Sequence, residues 1–245
     1  MLWRSIKGLL VACGVYVLLL LFPQPLFPYR ASAANIAVWS SERLPAEIQP
    51  ILEEAHRRIS TSPLFDPADQ YRVYLCQTDA LFTLFANYKH RVGGVTYAYF
   101  NQNVFLRPSH VARNRLLGPS GSEVSGDRTL VYFISHELTH AITARAVGRL
   151  SYSKLGPWRL EGYADYVGKG EPLDVPRWAE ALRSGDIAMD PSQSGLYNRY
   201  HLVVAYLLDR QHFTVKDLMS REWDVEQIES ELRDLTERAQ PGGTY

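Results

Sequence analysis

Two histidines and a glutamate interrupt an otherwise apolar stretch near the middle of the chain. Residues 131–142 read VYFISHELTHAI, with His136, Glu137 and His140 as the ionisable members. The apolar residues around them predict a helix that is buried on nearly every side. Burying an unpaired polar group costs about 2–7 kcal/mol, and burying a charge costs more, so these three side chains need a partner.

His136 and His140 are four residues apart, which places them one turn apart on the same face of a helix. Two imidazoles at this spacing can hold one metal ion, and Glu137 lies between them, close to a metal-bound water. The pattern H-E-x-x-H fixes only three positions, so a chance match on a core helix is the alternative. A catalytic zinc site needs more, namely a third protein ligand and one open position.

A third ligand is available in the segment WRLEGYADY at residues 158–166. Glu161 follows far enough after His136 for one helix to end, a loop to turn and a second helix to pack back. Asp165 is four residues after Glu161 on the same helical face, where its carboxylate can accept the other N–H of a ligating histidine. The alternative for both acidic residues is an exposed face of a helix.

With these residues the chain resembles the gluzincin metallopeptidases, in which H-E-x-x-H is followed by a helix carrying a W-x-x-E-G-x-A-like sequence. That group includes thermolysin-like and aminopeptidase-N-like enzymes, and this chain looks most like small bacterial peptidase MA-like domains. The resemblance implies a zincin-like fold with Zn²⁺ held by His136, His140 and Glu161. It also implies that Glu137 is the general base and that Asp165 orients a ligating histidine.

Residues 196–208 contain candidates for stabilising the oxyanion of a tetrahedral intermediate. Aminopeptidase-N-like enzymes carry a tyrosine at the start of a helix after the zinc site, and a second tyrosine followed by leucine nine positions later. Tyr197 and Tyr206-Leu207 reproduce this spacing, so the resemblance implies Tyr197 in that role. Tyr200 and His201 are the alternatives, because thermolysin-like enzymes use a histidine for this task. These aromatic residues can also be interpreted as packing residues of a helical subdomain.

In gluzincins a strand before the metal helix forms the edge of the cleft and pairs with the substrate backbone. Gly93-Gly94 and the strand predicted after them resemble that strand only loosely, and an ordinary edge hairpin is the simpler interpretation. The remaining histidines have no partner at metal-ligand spacing and are interpreted as surface or hydrogen-bonded residues. They are His56, His90, His110 and His212.

Residues 1–30 predict a signal peptide or a signal-anchor transmembrane segment. Arg4 and Lys7 precede an uncharged run at residues 9–22, an arrangement that keeps the N-terminus in the cytoplasm and exports the rest. The run is short for a span, which takes about 20 residues. Ala31-Ser32-Ala33 offers a cleavage site, so the sequence allows both an anchored protein and one released by cleavage. Either one predicts an extracytoplasmic domain, on the periplasmic or cell-surface side, with the membrane as a partner.

The charge of the chain is balanced, with 26 Lys and Arg against 26 Asp and Glu. This balance argues against nucleic acid as a partner. Cys13 lies in the apolar N-terminal run and Cys76 in a predicted strand, so the fold does not depend on a disulfide. Residues 35–240 have the length of one domain, which we expect to be monomeric.

The order of the predicted elements indicates the α+β class, because strands come first and helices follow. We expect a small N-terminal mixed sheet and then a helical subdomain that carries the zinc site. Ser125 or Asp127 can cap the metal helix, and Gly148 can end it. Strands are predicted at residues 35–40, 71–76, 94–100 and 103–107. Helices besides the two ligand helices are predicted at 45–59, 78–87, 176–184, 196–211 and 224–240.

These features together predict zinc-dependent hydrolysis of peptide bonds, with a peptide or protein as substrate. In two alternative interpretations the protein catalyses no reaction. One is a metal-binding envelope scaffold, and the other is an envelope recognition module in which the histidines only pack. Glu137 argues against the scaffold, because a structural metal site needs no base at that position.

Overall fold

The computed structural model describes residues 2–86, 92–192 and 195–238. Three sequence-based features fall on residues outside these ranges. They are Asn87 at the end of the helix predicted at 78–87, His90, and residues 239–240 at the end of the last predicted helix.

A mixed sheet forms the first half of the fold. Its strands are β1 (Tyr29–Ala33), β2 (Ile36–Ser40), β3 (Tyr71–Leu75), β4 (Gly94–Thr96) and β5 (Val104–Leu106). Their order is β1-β2-β3-β5-β4, with β2, β3 and β5 parallel and with β1 and β4 antiparallel at the edges. Two short strands, β6 (Ser109–His110) and β7 (Arg115–Leu116), pair separately.

The sheet buries one face in the main core and the other in an aromatic cluster. Ile36 and Val73 belong to the main core, together with the apolar face of helix α2 (Ile48–Ile59). Successive strand residues point to opposite faces, so Tyr74 lies on the other side. There its ring packs against Phe105 with 5.1 Å between centroids.

Helices make up most of the second half, and the predicted α+β class with its small mixed sheet is confirmed. Besides α2, the described helices are α1 (Leu2–Leu21), α3 (Asp79–Phe85), α4 (Leu130–Val147), α5 (Arg149–Tyr152), α6 (Pro157–Lys169), α7 (Val175–Ser184), α8 (Gly195–Ala205), α9 (Val215–Ser220) and α10 (Val225–Arg238). A π-helical turn at Tyr206–Arg210 extends α8.

Helix α4 is buried along most of its length, as its apolar sequence predicts. The predicted caps Ser125 and Asp127 are wrong, because the helix starts later, with the Thr129 hydroxyl accepting the Tyr132 N–H. Asn114 fixes this start by accepting the backbone N–H groups of residues 130 and 131. Gly148, at φ 81°, ends the helix as predicted.

Helix α1 is joined to the domain by hydrogen bonds at its C-terminal end. The side-chain amides of Asn101 and Asn103 donate to the Leu20 carbonyl at 2.7 and 3.0 Å. The Tyr16 hydroxyl donates to the Leu84 carbonyl at 2.9 Å. Among the described residues, no helix combines the length and the apolar character that crossing a membrane requires.

The sheet includes residues that precede position 35, where the sequence predicted the domain to begin. Strand β1 pairs along its full length with β2, and Phe27 is buried at 1% exposure in the aromatic cluster. The cleavage site predicted at Ala31-Ser32-Ala33 therefore lies inside a paired strand. Phe27 and β1 therefore pack against the elements that follow residue 35.

Candidate metal centre

Helices α4, α6 and α8 meet at very short separations beside the edge strand β4. A Cβ atom built on Gly168 of α6 would lie 3.1 Å from the His136 Cβ of α4. A Cβ atom built on Gly162 would lie 2.5 Å from the Tyr200 carbonyl oxygen of α8. Glycine at these two positions lets α6 approach both neighbours, which brings Glu161 toward the histidines of α4.

His136, His140 and Glu161 point their ligand atoms at one common position. The distance between the two histidine Nε2 atoms is 3.3 Å, and Glu161 Oε2 lies 3.2 Å from His136 Nε2 and 3.6 Å from His140 Nε2. Zinc bonds of about 2.0–2.2 Å at tetrahedral angles separate neighbouring ligand atoms by about 3.3–3.6 Å. The cluster therefore fits a tetrahedral metal ion, and it could hold one.

The Nδ1 atoms of both histidines have hydrogen-bond partners that orient the rings. Asp165 Oδ1 lies 2.9 Å from His136 Nδ1 and also accepts the Tyr132 hydroxyl at 2.6 Å. The Tyr152 hydroxyl oxygen lies 3.3 Å from His140 Nδ1. With an N–H group assigned to each Nδ1 atom, the Nε2 atoms face Glu161 and are the ones placed to bind a metal ion, which is the arrangement of ligating histidines.

The electrostatics of the cluster favour positive charge at its centre. Burial lowers the pKa of His136, but the hydrogen bonds to Asp165 and Glu161 outweigh burial and raise this pKa to about 10. Burial raises the pKa of Glu161, yet the hydrogen bonds from His136 and His140 hold it well below its usual range. The Asp165 and Glu161 carboxylates thus supply negative charge beside the two histidines, which suits a metal ion.

Glu137 lies in the same cavity but outside the cluster of three ligands. Its Oε2 is 2.6 Å from the Thr96 hydroxyl of β4, and its backbone carbonyl is 2.9 Å from that hydroxyl. A Cβ atom on Gly94 would lie 2.7 Å from Glu137 Oε1, so only glycine leaves room for the carboxylate. Glu137 is thus held against the edge strand.

Of the three aromatic candidates on α8, only Tyr197 is among the cavity-lining residues. Tyr197 is 37% exposed, and burial raises the pKa of its hydroxyl. His201 is 1% exposed and packs its ring against Tyr166, with 6.2 Å between centroids. Tyr200 is half-buried, and its carbonyl faces Gly162.

The sequence analysis assigned no role to four polar residues of the cavity wall, namely Thr96, Arg128, Tyr132 and Tyr152. Tyr132 precedes His136 by one helical turn, so the same spacing rule that joined the histidines could have identified it. Thr96 and Tyr152 carry no local signal, because they reach Glu137 and His140 only through the tertiary fold.

No protein-family model, no curated protein and no solved structure matches this chain.

Proposed function

We propose that this chain is a zinc-dependent peptidase of the gluzincin type, with a zincin-like fold, that hydrolyses peptide bonds. The observation that carries the proposal is the convergence of His136, His140 and Glu161, whose ligand atoms all lie within 4.8 Å of one another. Glu137 shares their cavity without joining the cluster, and metal-assisted hydrolysis uses a base in that position.

Zinc is the metal that these ligands suit best. Two imidazole nitrogens and one carboxylate oxygen are a ligand set of catalytic zinc sites, which keep a fourth position open. Zinc held by these residues would supply Lewis acidity, because it would lower the pKa of a water toward about 7 and polarise a carbonyl group.

The side chains around the ligands supply proton transfer and positioning. Glu137 accepts a proton from the attacking water and later gives it to the leaving amine. Tyr197 donates a hydrogen bond from its hydroxyl to the oxyanion, and one such donor contributes about 3–4 kcal/mol. Asp165 holds His136 in the tautomer that leaves Nε2 available to the metal. Tyr200 and His201 are assigned no substrate contact, because neither is among the residues that line the cavity.

Strand β4 offers its outer edge to an extended substrate. It pairs with β5 on one side, and no described strand pairs with its other side. Its residues Gly94, Val95 and Thr96 line the cavity that contains Glu137. Backbone groups at a free strand edge can pair with an extended peptide, which would place a peptide bond near the base.

The domain acts outside the cytoplasm, where the N-terminal segment either anchors it or is removed. Arg4 and Lys7 before the uncharged run support export. The pairing of β1 supports the anchored form, because cleavage after Ala33 would remove both β1 and Phe27. A reporter fused after Tyr245 that is active only in the cytoplasm would contradict export.

Zinc content measured beside peptide turnover tests the peptidase. We expect wild type to carry about one zinc per chain and to cleave members of a random peptide library. Glu137→Gln should keep the metal and lose about 10²–10⁴-fold in turnover, because the amide cannot accept a proton. Glu161→Ala should lose zinc and turnover together, whereas Glu226→Gln, at an exposed position of α10, should change neither.

Two results would contradict this assignment. If protein prepared without chelators contains no zinc, the chain does not bind zinc as proposed. If Glu137→Gln cleaves peptides at the wild-type rate, the base is assigned wrongly, and a metal-binding scaffold becomes the better account.

A further inference from the structure

Arg128 is a cationic residue in the wall of the metal cavity. Its guanidinium carbon lies 5.9 Å from the ring centroid of Tyr132 and 5.7 Å from that of Tyr197. Both tyrosines line the cavity together with the metal ligands. Contact with two aromatic rings holds the guanidinium in place before any ligand arrives.

The carboxylates of the cavity region, and that of Asp127 next to Arg128 in sequence, have other partners. Asp127, its neighbour in sequence, forms an ion pair with Lys169 at 3.1 Å. The acidic residues of the cavity region are engaged as well: Asp165 by His136 and Tyr132, Glu161 by the two histidines, and Glu137 by Thr96. Among residues 2–86, 92–192 and 195–238, no carboxylate lies within ion-pair distance of the Arg128 guanidinium.

A guanidinium presents five N–H donors in a planar fork that matches a carboxylate, and it stays charged at any physiological pH. We propose that Arg128 binds a carboxylate of the substrate, so that the site selects peptides that present a carboxylate at this position; this inference rests on the proposed peptidase function. The carboxylate is either the side chain of an acidic residue or the C-terminus of the peptide. Both present the same two oxygens to the fork.

The position of Arg128 limits where this carboxylate lies in the substrate. The Arg128 guanidinium carbon lies 5.9 Å from the Tyr132 ring centroid, which lies 5.4 Å from the His136 ring centroid, so the guanidinium is within about 11 Å of the His136 ring. An extended peptide covers about 3.4 Å per residue, so the carboxylate belongs to one of about four residues next to the cleaved bond.

Affinity selection tests the proposal without requiring turnover. Full-length Glu137→Gln protein, loaded with zinc in detergent, is immobilised and offered a random octapeptide library. The library is prepared once with free carboxyl termini and once with amidated termini. Retained peptides are identified by mass spectrometry, and thermal melting shows that each variant is folded.

We expect the parent to enrich carboxylate-bearing peptides about tenfold over their amide counterparts, since a charged hydrogen bond contributes about that factor or more. Adding Arg128→Gln should abolish the enrichment, and Arg128→Lys should keep part of it, because lysine retains the charge without the fork. Arg72 is an exposed residue of β3, and Arg72→Gln makes the same change in charge. This control variant should enrich carboxylate-bearing peptides as strongly as the parent does. Enrichment that survives amidation identifies an acidic side chain, and enrichment confined to free termini identifies the C-terminus.

Equal enrichment by the parent and by both Arg128 variants overturns the proposal. The carboxylate site and the peptidase function can be contradicted separately. If wild type cleaves none of the library but retention still depends on Arg128, the peptidase function is wrong and the carboxylate site stands. If cleavage occurs and retention does not depend on Arg128, the carboxylate site alone is wrong.

Discussion

At the scale of single residues, the Thr96 hydroxyl connects the edge strand to the proposed base. The hydroxyl has one proton and two acceptors on Glu137, at 2.6 Å for Oε2 and 2.9 Å for the backbone carbonyl. The shorter distance and the charge of a carboxylate favour donation to Oε2. Thr96 is therefore a positioning residue, because it limits the rotamers of Glu137 without touching the metal ligands.

Replacing Thr96 by valine removes this hydrogen bond and keeps the shape of the side chain. We expect Thr96→Val to lower kcat about tenfold or more, because a hydrogen bond to a charged group contributes about 1.5–3 kcal/mol. KM and zinc content should change little. Thr96→Ser, which keeps the hydroxyl, is the matched control and should recover most of kcat. Wild-type kcat in the valine variant would show that Thr96 does not position Glu137.

At the scale of elements, the site depends on how closely α6 approaches α8. Gly162 follows the candidate ligand Glu161 directly, and a Cβ atom there would lie 2.5 Å from the Tyr200 carbonyl oxygen and 2.9 Å from Val204 Cγ2. Because a backbone carbonyl cannot rotate away as a flexible side chain can, a methyl group at Gly162 must separate the helices. That separation would move Glu161 relative to Tyr197.

Gly162→Ala should therefore affect stability and metal binding together. We expect the free energy of unfolding in urea to fall by about 1–3 kcal/mol, the usual cost of overpacking a core. Zinc affinity should fall as well, because Glu161 is carried by the displaced helix. In Gly118→Ala the added Cβ would meet only the Ser122 carbonyl, at 3.6 Å, so stability should stay within about 0.5 kcal/mol. Unchanged stability of Gly162→Ala would mean that the helices can separate without cost.

At the scale of the whole molecule, the N-terminal residues take part in the fold. Phe27 packs in the aromatic cluster with Tyr74, Phe85 and Phe105, and β1 covers the edge of β2. Removing residues 1–34 would leave β2 as an unpaired edge, which is a template for association with other chains. It would also leave a cavity where the Phe27 ring packs.

Two fragments, residues 23–245 and 35–245, test this contribution. We expect the longer one to be monomeric and the shorter one to be less stable to urea by about 3–5 kcal/mol, or to aggregate, since loss of a buried phenylalanine has about that cost. Urea unfolding and size-exclusion chromatography measure the two outcomes. Equal stability of the fragments would show that residues 23–34 do not stabilise the fold.

The pH dependence of folding should reflect His201, which is buried without a hydrogen-bond partner among the described residues. Burial lowers its pKa to about 4, from about 6.5 in an unfolded chain. The folded state thus binds fewer protons than the unfolded state, and stability falls as the pH drops from 6.5 toward 4. The expected loss contributed by His201 between pH 7 and pH 5 is about 2 kcal/mol.

His201→Leu should remove this part of the pH dependence, while His212→Asn, at an exposed position with φ 57°, should not. Urea unfolding of all three proteins at pH 7 and pH 5, each with a chelator so that metal loss adds nothing, measures the difference. If His201→Leu keeps the wild-type pH dependence, other groups cause it.

The clustering of the candidate ligands could be predicted from the sequence because their signals are local. His136 and His140 share a helical face, and Asp165 repeats the four-residue spacing after Glu161. Strand β1 could not be predicted, because YRASA lacks an alternating apolar pattern and pairs only because β2 returns beside it. The contacts of Thr96 with Glu137 and of Tyr152 with His140 likewise exist only after folding.

Leu106 and Glu137 lie so close to Gly94 that substitutions at this position should be poorly tolerated. Any side chain at this position meets Leu106 Cδ2 at 2.6 Å and the Glu137 carboxylate at 2.7 Å. In a saturation-mutagenesis map scored by activity, Gly94 should therefore be as intolerant as a metal ligand, although it has no functional group. A map scored by zinc content should separate them, because Gly94 variants that still fold would keep the metal and lose only the base.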